Sequence, residues 1–295
     1  MDAKVKDKIW TGILYGLSGF VILLLVALIA YILFKGKGFY SPSFLFGNAK
    51  FGEAGGGIGP QLFNSFYMLI VALVISIPFG LGAGIYLAEY AKEGILLNVI
   101  RLCIETMASL PSIVVGLFGL LIFVGMTNWG FTLLSGALAI SVLNLPSLTR
   151  ISENAIREAA KPVKEASLGL GATRWQTIWK IVLPSAIPEI LTGIILAAGR
   201  IFGEAAALLY TAGMSAPKLN FTTVSLTNSA SSFSLFRPAE TLAVYIWKLN
   251  SEGMVPDAAQ IANKASAVLV VMVLLFNVLA RILGRKIYES YTGKR

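Results

Sequence analysis

Six apolar runs, near residues 11–34, 63–91, 99–126, 131–151, 187–212 and 263–287, set the terms for anything this 295-residue chain can fold into. Crossing about 30 Å of hydrocarbon takes about 20 apolar residues in a helix. Inside a bilayer the backbone must satisfy its own hydrogen bonds, which leaves helices or closed barrels. Runs of this length predict an all-α membrane protein with six spans. The charge content agrees: 13% of residues are charged, against about a quarter in soluble domains.

The first run follows Lys4, Lys6 and Lys8, as in a signal peptide. It is too long for such a core, and Lys35-Gly36-Lys37-Gly38 follows it in place of a small-residue cleavage site, so an uncleaved span is expected. Basic residues give the orientation. With the N-terminus inside, sixteen lie on the cytoplasmic side (Lys4, Lys6, Lys8, Lys92, Arg101, Arg150, Arg157, Lys161, Lys164, Arg174, Lys180, Arg281, Arg285, Lys286, Lys294, Arg295). Seven lie outside (Lys35, Lys37, Lys50, Lys218, Arg237, Lys248, Lys264), and Arg200 falls within a span. Both termini are therefore expected in the cytoplasm of a multi-pass protein of the cell (inner) membrane. The net charge of +9 is a topology signal, and no nucleic-acid partner is expected.

The organisation is one transmembrane domain, 11–295, behind a cytoplasmic N-terminus at 1–10. Its core is 63–287, with outer loops at 35–62 and 213–262 and a cytoplasmic loop at 152–186. The last outer loop is Ser/Thr-rich through 221–234. It then gives helix signals: Pro238 in a first turn, Leu242, Ala243, Ile246 and Leu249 on one face, and Gly253 as a stop. A short helix on the outer membrane surface is expected there. Gly80, Gly82, Gly84, Gly116 and Gly119 suit close helix packing, and Pro78 and Pro111 are expected to bend or interrupt their helices. A lone Cys103 and the absence of histidine exclude an internal disulfide and remove the commonest metal ligand and general base.

Residues 152–186 carry too many charges to span. Pro162 suits a first helical position, with Val163, Ala166, Ser167 and Leu170 on one face and Gly171 as a left-handed stop. Thr173 and Gln176 form a capping box for a second helix, whose apolar face is Trp175, Ile178, Trp179 and Val182. Pro184 is expected to end that helix and Pro188 to begin the fifth span. Two short amphipathic helices rigidly joined to a span would make a lever.

Glu165-Ala166-Ser167, Gly171, Ile181 and Leu183-Pro184 resemble the EAA loop of ABC importer permeases, with Ser167 in place of the second alanine. The resemblance implies that this loop is a coupling helix seated in a groove of an ATPase subunit. Glu165 would contact the ATPase, and Gly171 would shape the turn. The chain has no G-x-x-x-x-G-K-[ST]. No cofactor is expected in this subunit, and ATP and magnesium belong to the partner ATPase.

Arg200 and Glu204 lie in the fifth span. An arginine at mid-bilayer costs at least ~3 kcal/mol on insertion scales, which marks a functional candidate. The i, i+4 spacing places both side chains on one helical face, and Gly199 and Gly203 leave the adjacent face open. The flat guanidinium suits tetrahedral oxyanions. The segment 200–212 is similar to R-x-x-G-E-T-A-P-L-L-F-T-A of the phosphate ABC importer permeases, PstA-type, with Ala205 for threonine and Ala207 for proline. Residues 146–154 are similar to the same subunit's P-x-x-x-R-x-x-E-N, and 109–119 to the phosphate permeases' x-x-P-S-I-V-x-G-L-F-G.

The resemblance implies the type I (MetI-like) permease fold, no enzymatic activity, and phosphate as cargo. Arg200, Glu204 and Arg150 would line the pathway. The implied partners are a second permease (PstC-like), two ATPases (PstB-like) and an extracytoplasmic phosphate-binding protein (PstS-like). Sulfate, molybdate or phosphonate import is the alternative.

Overall fold

The computed structural model describes residues 3–50, 53–253 and 255–292. Lys294 and Arg295 of the cytoplasmic set lie outside the described residues. Helix is the only regular structure among the described residues. Five helices are long and apolar enough to span: α1 (Ala3–Lys35), α3 (Gly59–Ile85, prolonged by a π turn to Tyr90), α6 (Leu133–Ala160), α9 (Leu183–Gly203) with the turns preceding it, and α12 (Ala258–Thr292). Short helices α2 (Pro42–Phe46), α7 (Lys164–Gly169), α8 (Arg174–Thr177), α10 (Ala206–Leu209) and α11 (Leu242–Glu252) join them.

The expected third span is broken. Helices α4 (Ile95–Ala108) and α5 (Ser112–Gly119, prolonged to Met126) meet at 98°. Pro111 supplies no N–H and disfavours helical geometry at Leu110. Both halves stay beside α6. Arg101 and Glu105 meet Glu153 and Arg150, while Gly119 lies by Ala139 and the Phe123 carbonyl accepts from the Ser135 hydroxyl. These pairings step antiparallel along α6, as a single broken span would.

The core lies where α3, α6, α9 and α12 meet, around Met68, Ala72, Ala137, Ile140, Ala198 and Phe202. Lipid is as apolar as these side chains, so close fit is what holds the helices together. A Cβ on Gly80 would stand 2.8 Å from the Leu148 Cβ, and one on Gly84 2.5 Å from the Ser152 Cβ and 2.9 Å from the Glu153 nitrogen. Gly82 faces open space. Gly84→Val should therefore cost about 1–3 kcal/mol through overpacking and lower the melting temperature in detergent. Gly82→Val should leave it unchanged, and equal melting of the two variants would contradict this packing.

Helix α11 packs into the bundle. Leu242, Ala243, Val244, Tyr245 and Leu249 are buried; Leu242, Tyr245 and Leu249 pack with Phe44, Ile58, Ile261 and Ala265, and Val244 joins the core around Met68. Pro238 precedes the helix, whose N-cap is Thr241, and Gly253 ends it with φ +57°. Buried polar contacts pull the helix inward. The Leu242 N–H donates to the Ser65 hydroxyl at 2.8 Å, and the Asn64 amide donates to the Glu240 carbonyl at 3.0 Å. The Glu240 carboxylate, fully buried, accepts from Gln61 at 2.9 Å and pairs with Lys248 at 3.3 Å. Buried Arg237 donates to Asn64 Oδ1 at 2.7 Å and to the carbonyls of Ser232 and Pro238. The 213–241 loop is thereby fastened to the start of α3.

Burial pushes the Glu240 carboxyl above its ordinary value of 4.5, more than Gln61 and Lys248 pull it down. A carboxyl whose folded value is raised stabilises the fold below the ordinary range, and that contribution fades as pH rises through the raised value. Thermal stability is expected to fall as pH climbs from about 4.5 through that window. Glu240→Gln should flatten the slope, and an unaltered pH profile in the variant would contradict this.

Candidate functional site

The first part of 152–186 continues helix α6, which runs on to Ala160. Helix α7 begins at Lys164, two residues after Pro162. Gly171 has φ +86°, the left-handed geometry its position requires. The Thr173 capping box forms in both directions, at 3.3 Å to the Gln176 N–H and 2.9 Å from the Thr173 N–H. The Ser167 and Thr177 hydroxyls, 2.9 Å apart and buried, tie α7 to α8. Ser167 therefore does here what a second alanine could not.

The expected apolar face divides. Ile178 and Val182 are buried, Val182 beside Ala155, Ile156, Ala160 and Ala186. Trp175 and Trp179, ring centroids 5.1 Å apart, stay exposed at 61% and 46%. Glu165 and Ala166 are exposed as well, and Ile181, Leu183 and Pro184 are half-buried.

Pro184 does not end α8. A π turn, Ile178–Val182, carries the chain from α8 straight into α9, so Arg174–Gly203 is one helical path of 30 residues. The π turn places Pro184 in the first turn of α9, where a missing N–H costs little. Around Pro188, Ser185 and Thr192 hydroxyls bond the Ile181 and Pro188 carbonyls at 2.8 and 2.9 Å.

Arg200 and Glu204 do not share a helical face. Helix α9 stops at Gly203, and Glu204 is extended, with φ −76° and ψ 115°. The carboxylate turns forward, and its Oε1 accepts from the Ala207 N–H at 3.2 Å, capping α10. The i, i+4 rule fails because the helix ends between the two residues. Arg200 is exposed and forms no ion pair among the described residues. The glycine face is bare as expected: a Cβ on Gly203 would meet nothing within 4 Å, and one on Gly199 only the Asn277 amide at 3.9 Å.

Arg150 lies far along α6, near the polar segment, paired with Glu105 at 3.0 Å with both side chains half exposed. Sequence reasoning missed its neighbours. A cavity of about 250 Å3 brings Arg150 together with Arg101, Arg157 and Asn154. Buried Glu153 pairs with Arg101 at 2.7 Å and with Arg157 at 3.2 Å, and Arg157 also donates to the Leu87 carbonyl at 3.1 Å. The spacing Arg150, Glu153, Arg157 on one helical face was a usable signal for this cluster. Next to it, Lys164 of α7 pairs with buried Glu89, at the end of α3, at 2.6 Å. The polar segment is thus joined to α3 by an ion pair and to α9 by continuous helix.

Residues 80–290 match the family described as the binding-protein-dependent transport system inner membrane component. The chain belongs to this family. It is a permease subunit of an ABC importer, an integral membrane protein and not an enzyme; ATPase activity resides in separate subunits, and such permeases also work with a substrate-binding protein. This permease is 52% identical over 294 residues, 99% of its length and all of the relative's, to the probable ABC transporter permease protein YqgI of Bacillus subtilis. It is 37% identical over 235 residues, 79% of its length and 74% of the relative's, to the phosphate transport system permease protein PstA of Yersinia pestis. Two solved importers share the fold. A chain of the inward-facing MetNI methionine ABC transporter superposes with TM-score 0.56 at 19% identity, covering 78% of this chain and 94% of that one. One of the bacterial alginate transporter superposes with TM-score 0.63 at 17% identity, covering 97% and 96%.

Proposed function

We propose that this permease carries inorganic phosphate inward across the cell membrane, as one of two permease subunits lining the pathway. The observation that carries the reading is Arg200, a guanidinium in a spanning helix beside two bare glycines and without a carboxylate partner among the described residues. An unpaired arginine in hydrocarbon is costly, so the position makes sense where an anion or an aqueous path meets it. The likeness to the Yersinia pestis phosphate permease points to phosphate as that anion.

Arg200 offers its fork of donors to the dianion. Glu204 keeps one oxygen on the α10 cap, and its second oxygen can accept a proton-bearing phosphate hydroxyl. Sulfate at neutral pH has no such hydroxyl and meets repulsion. Arg150, with Arg101 and Arg157, gives the anion a weaker set of partners near the exit, where Glu105 and Glu153 compete with it.

Both termini face the cytoplasm, and an ATPase docks on Glu165, Ala166, Gly171 and the exposed tryptophans. Closure of the ATPase pair draws the segment inward. The continuous 174–203 path carries the movement toward Arg200, about 39 Å away at 1.5 Å per residue. The complex holds a second, PstC-like permease, two PstB-like ATPases that bind ATP and magnesium, and a PstS-like phosphate-binding protein outside. In cells where this chain is the sole subunit of its type, removing it should abolish phosphate uptake and spare sulfate uptake. Loss of sulfate uptake instead would assign another oxyanion.

A further inference from the structure

At the end of the bundle away from the 161–182 segment, an apolar groove of about 370 Å3 opens between Phe39 and Tyr40, Phe66 of α3, and the face of α12 bearing Val268, Val271 and Leu275. Its wall is almost free of polar atoms, so neither water nor the phosphate cargo suits it. The groove runs along α12 from Val268 to Leu279, about 16 Å at 1.5 Å per residue. That is half of the roughly 30 Å hydrocarbon core, the depth of one leaflet.

The upper end of the groove is basic. Lys264 stands one helical turn above Val268, with its ammonium 5.7 Å from the Phe44 ring centroid. The turn that follows α1 packs onto the same place: a Cβ on Gly36 would lie 2.5 Å from the Ala267 Cβ, and one on Gly38 3.9 Å from the Lys264 Cε. That turn carries Lys37, whose ammonium lies 3.9 Å from the Phe34 ring centroid. Neither lysine forms an ion pair among the described residues. Tyr40, 73% exposed at the mouth, has the amphipathic ring that favours headgroup depth.

We propose that the groove holds an acyl chain of an anionic phospholipid, in the leaflet away from the 161–182 segment, with the lipid phosphate between Lys264 and Lys37. An apolar slot of one-leaflet depth, closed at the interface by two cations and an aromatic ring, complements such a lipid at both ends. The ligand tethers α1, none of whose side chains is buried, to α12 and α3.

The test is native mass spectrometry of the assembled transporter released from vesicles of equal phosphatidylglycerol and phosphatidylcholine. Phosphatidylglycerol should be retained preferentially. Lys37→Gln and Lys264→Gln should each lower its retention about fivefold, the effect of one basic residue at an anionic surface, without lowering phosphatidylcholine retention. Val271→Trp, which fills the groove, should reduce retention of both lipids, and Leu274→Trp, which is outside it, should reduce neither. Equal retention of the two lipids, or full retention by Val271→Trp, overturns the proposal. If Val271→Trp instead releases the second permease while lipid retention stays unchanged, the groove belongs to a protein interface and the proposal also fails.

Discussion

Arg200→Gln is expected to lower phosphate transport by about two orders of magnitude while leaving insertion and assembly intact. The guanidinium forms no ion pair among the described residues, so its removal orphans no carboxylate there and should not destabilise the fold. What is lost is a forked, charge-assisted pair of hydrogen bonds to the anion, each worth about 1.5–3 kcal/mol. Glu204→Gln should behave differently. Glutamine retains a carbonyl oxygen that can accept from the Ala207 N–H, so the α10 cap survives and only the charge disappears. The expected result is partial loss of transport with weaker rejection of sulfate. Had the two residues formed an ion pair, each variant would leave the other charge unpaired and both would lose stability. Uptake and melting temperature measured together on the two variants separate these cases, and normal phosphate uptake by both would refute a role in passage.

Gly171→Val should uncouple the transporter. The position has φ +86° and open space around it, so the penalty is purely conformational. A β-branched residue forced into left-handed geometry costs about 1–2 kcal/mol. Relief of that strain would turn α8 away from α7 and disturb the 2.9 Å Ser167–Thr177 contact. ATPase co-purification should drop about tenfold, and transport with it. Gly171→Asn should be far milder, because asparagine tolerates this geometry. Equal ATPase retention by the valine and asparagine variants would show that the turn does not shape the docking surface.

Local chemistry in the sequence foretold much of this. The Gly171 turn and the Thr173 box are fixed within a few residues, and both form as expected. The spans follow from run length, which the bilayer dictates. Tertiary effects were harder to see. Pro184 looks like a helix end until a π turn shifts it into a first-turn position. The Arg200–Glu204 spacing assumes a helix that stops at Gly203, and nothing in the run of small apolar residues after it announces that stop. The helix at 242–252 was visible from its periodicity, but its burial depends on Gln61, Asn64 and Ser65, which lie roughly 180 residues earlier. Two amides and a hydroxyl at the start of an apolar run were the available hint that buried Arg237 and Glu240 needed partners. The cluster of Arg101 and Glu105 with Arg150, Glu153 and Arg157 depends likewise on α4, the first half of the broken span, meeting α6.

The central claim is that this permease passes phosphate through a site built on Arg200. Its most direct test is ATP-driven phosphate uptake by vesicles carrying the assembled complex and its binding protein, with excess sulfate present. Sulfate should not inhibit uptake, and Arg200→Gln should lower it by about two orders of magnitude. Uptake blocked by sulfate, or undiminished in Arg200→Gln, would contradict the claim.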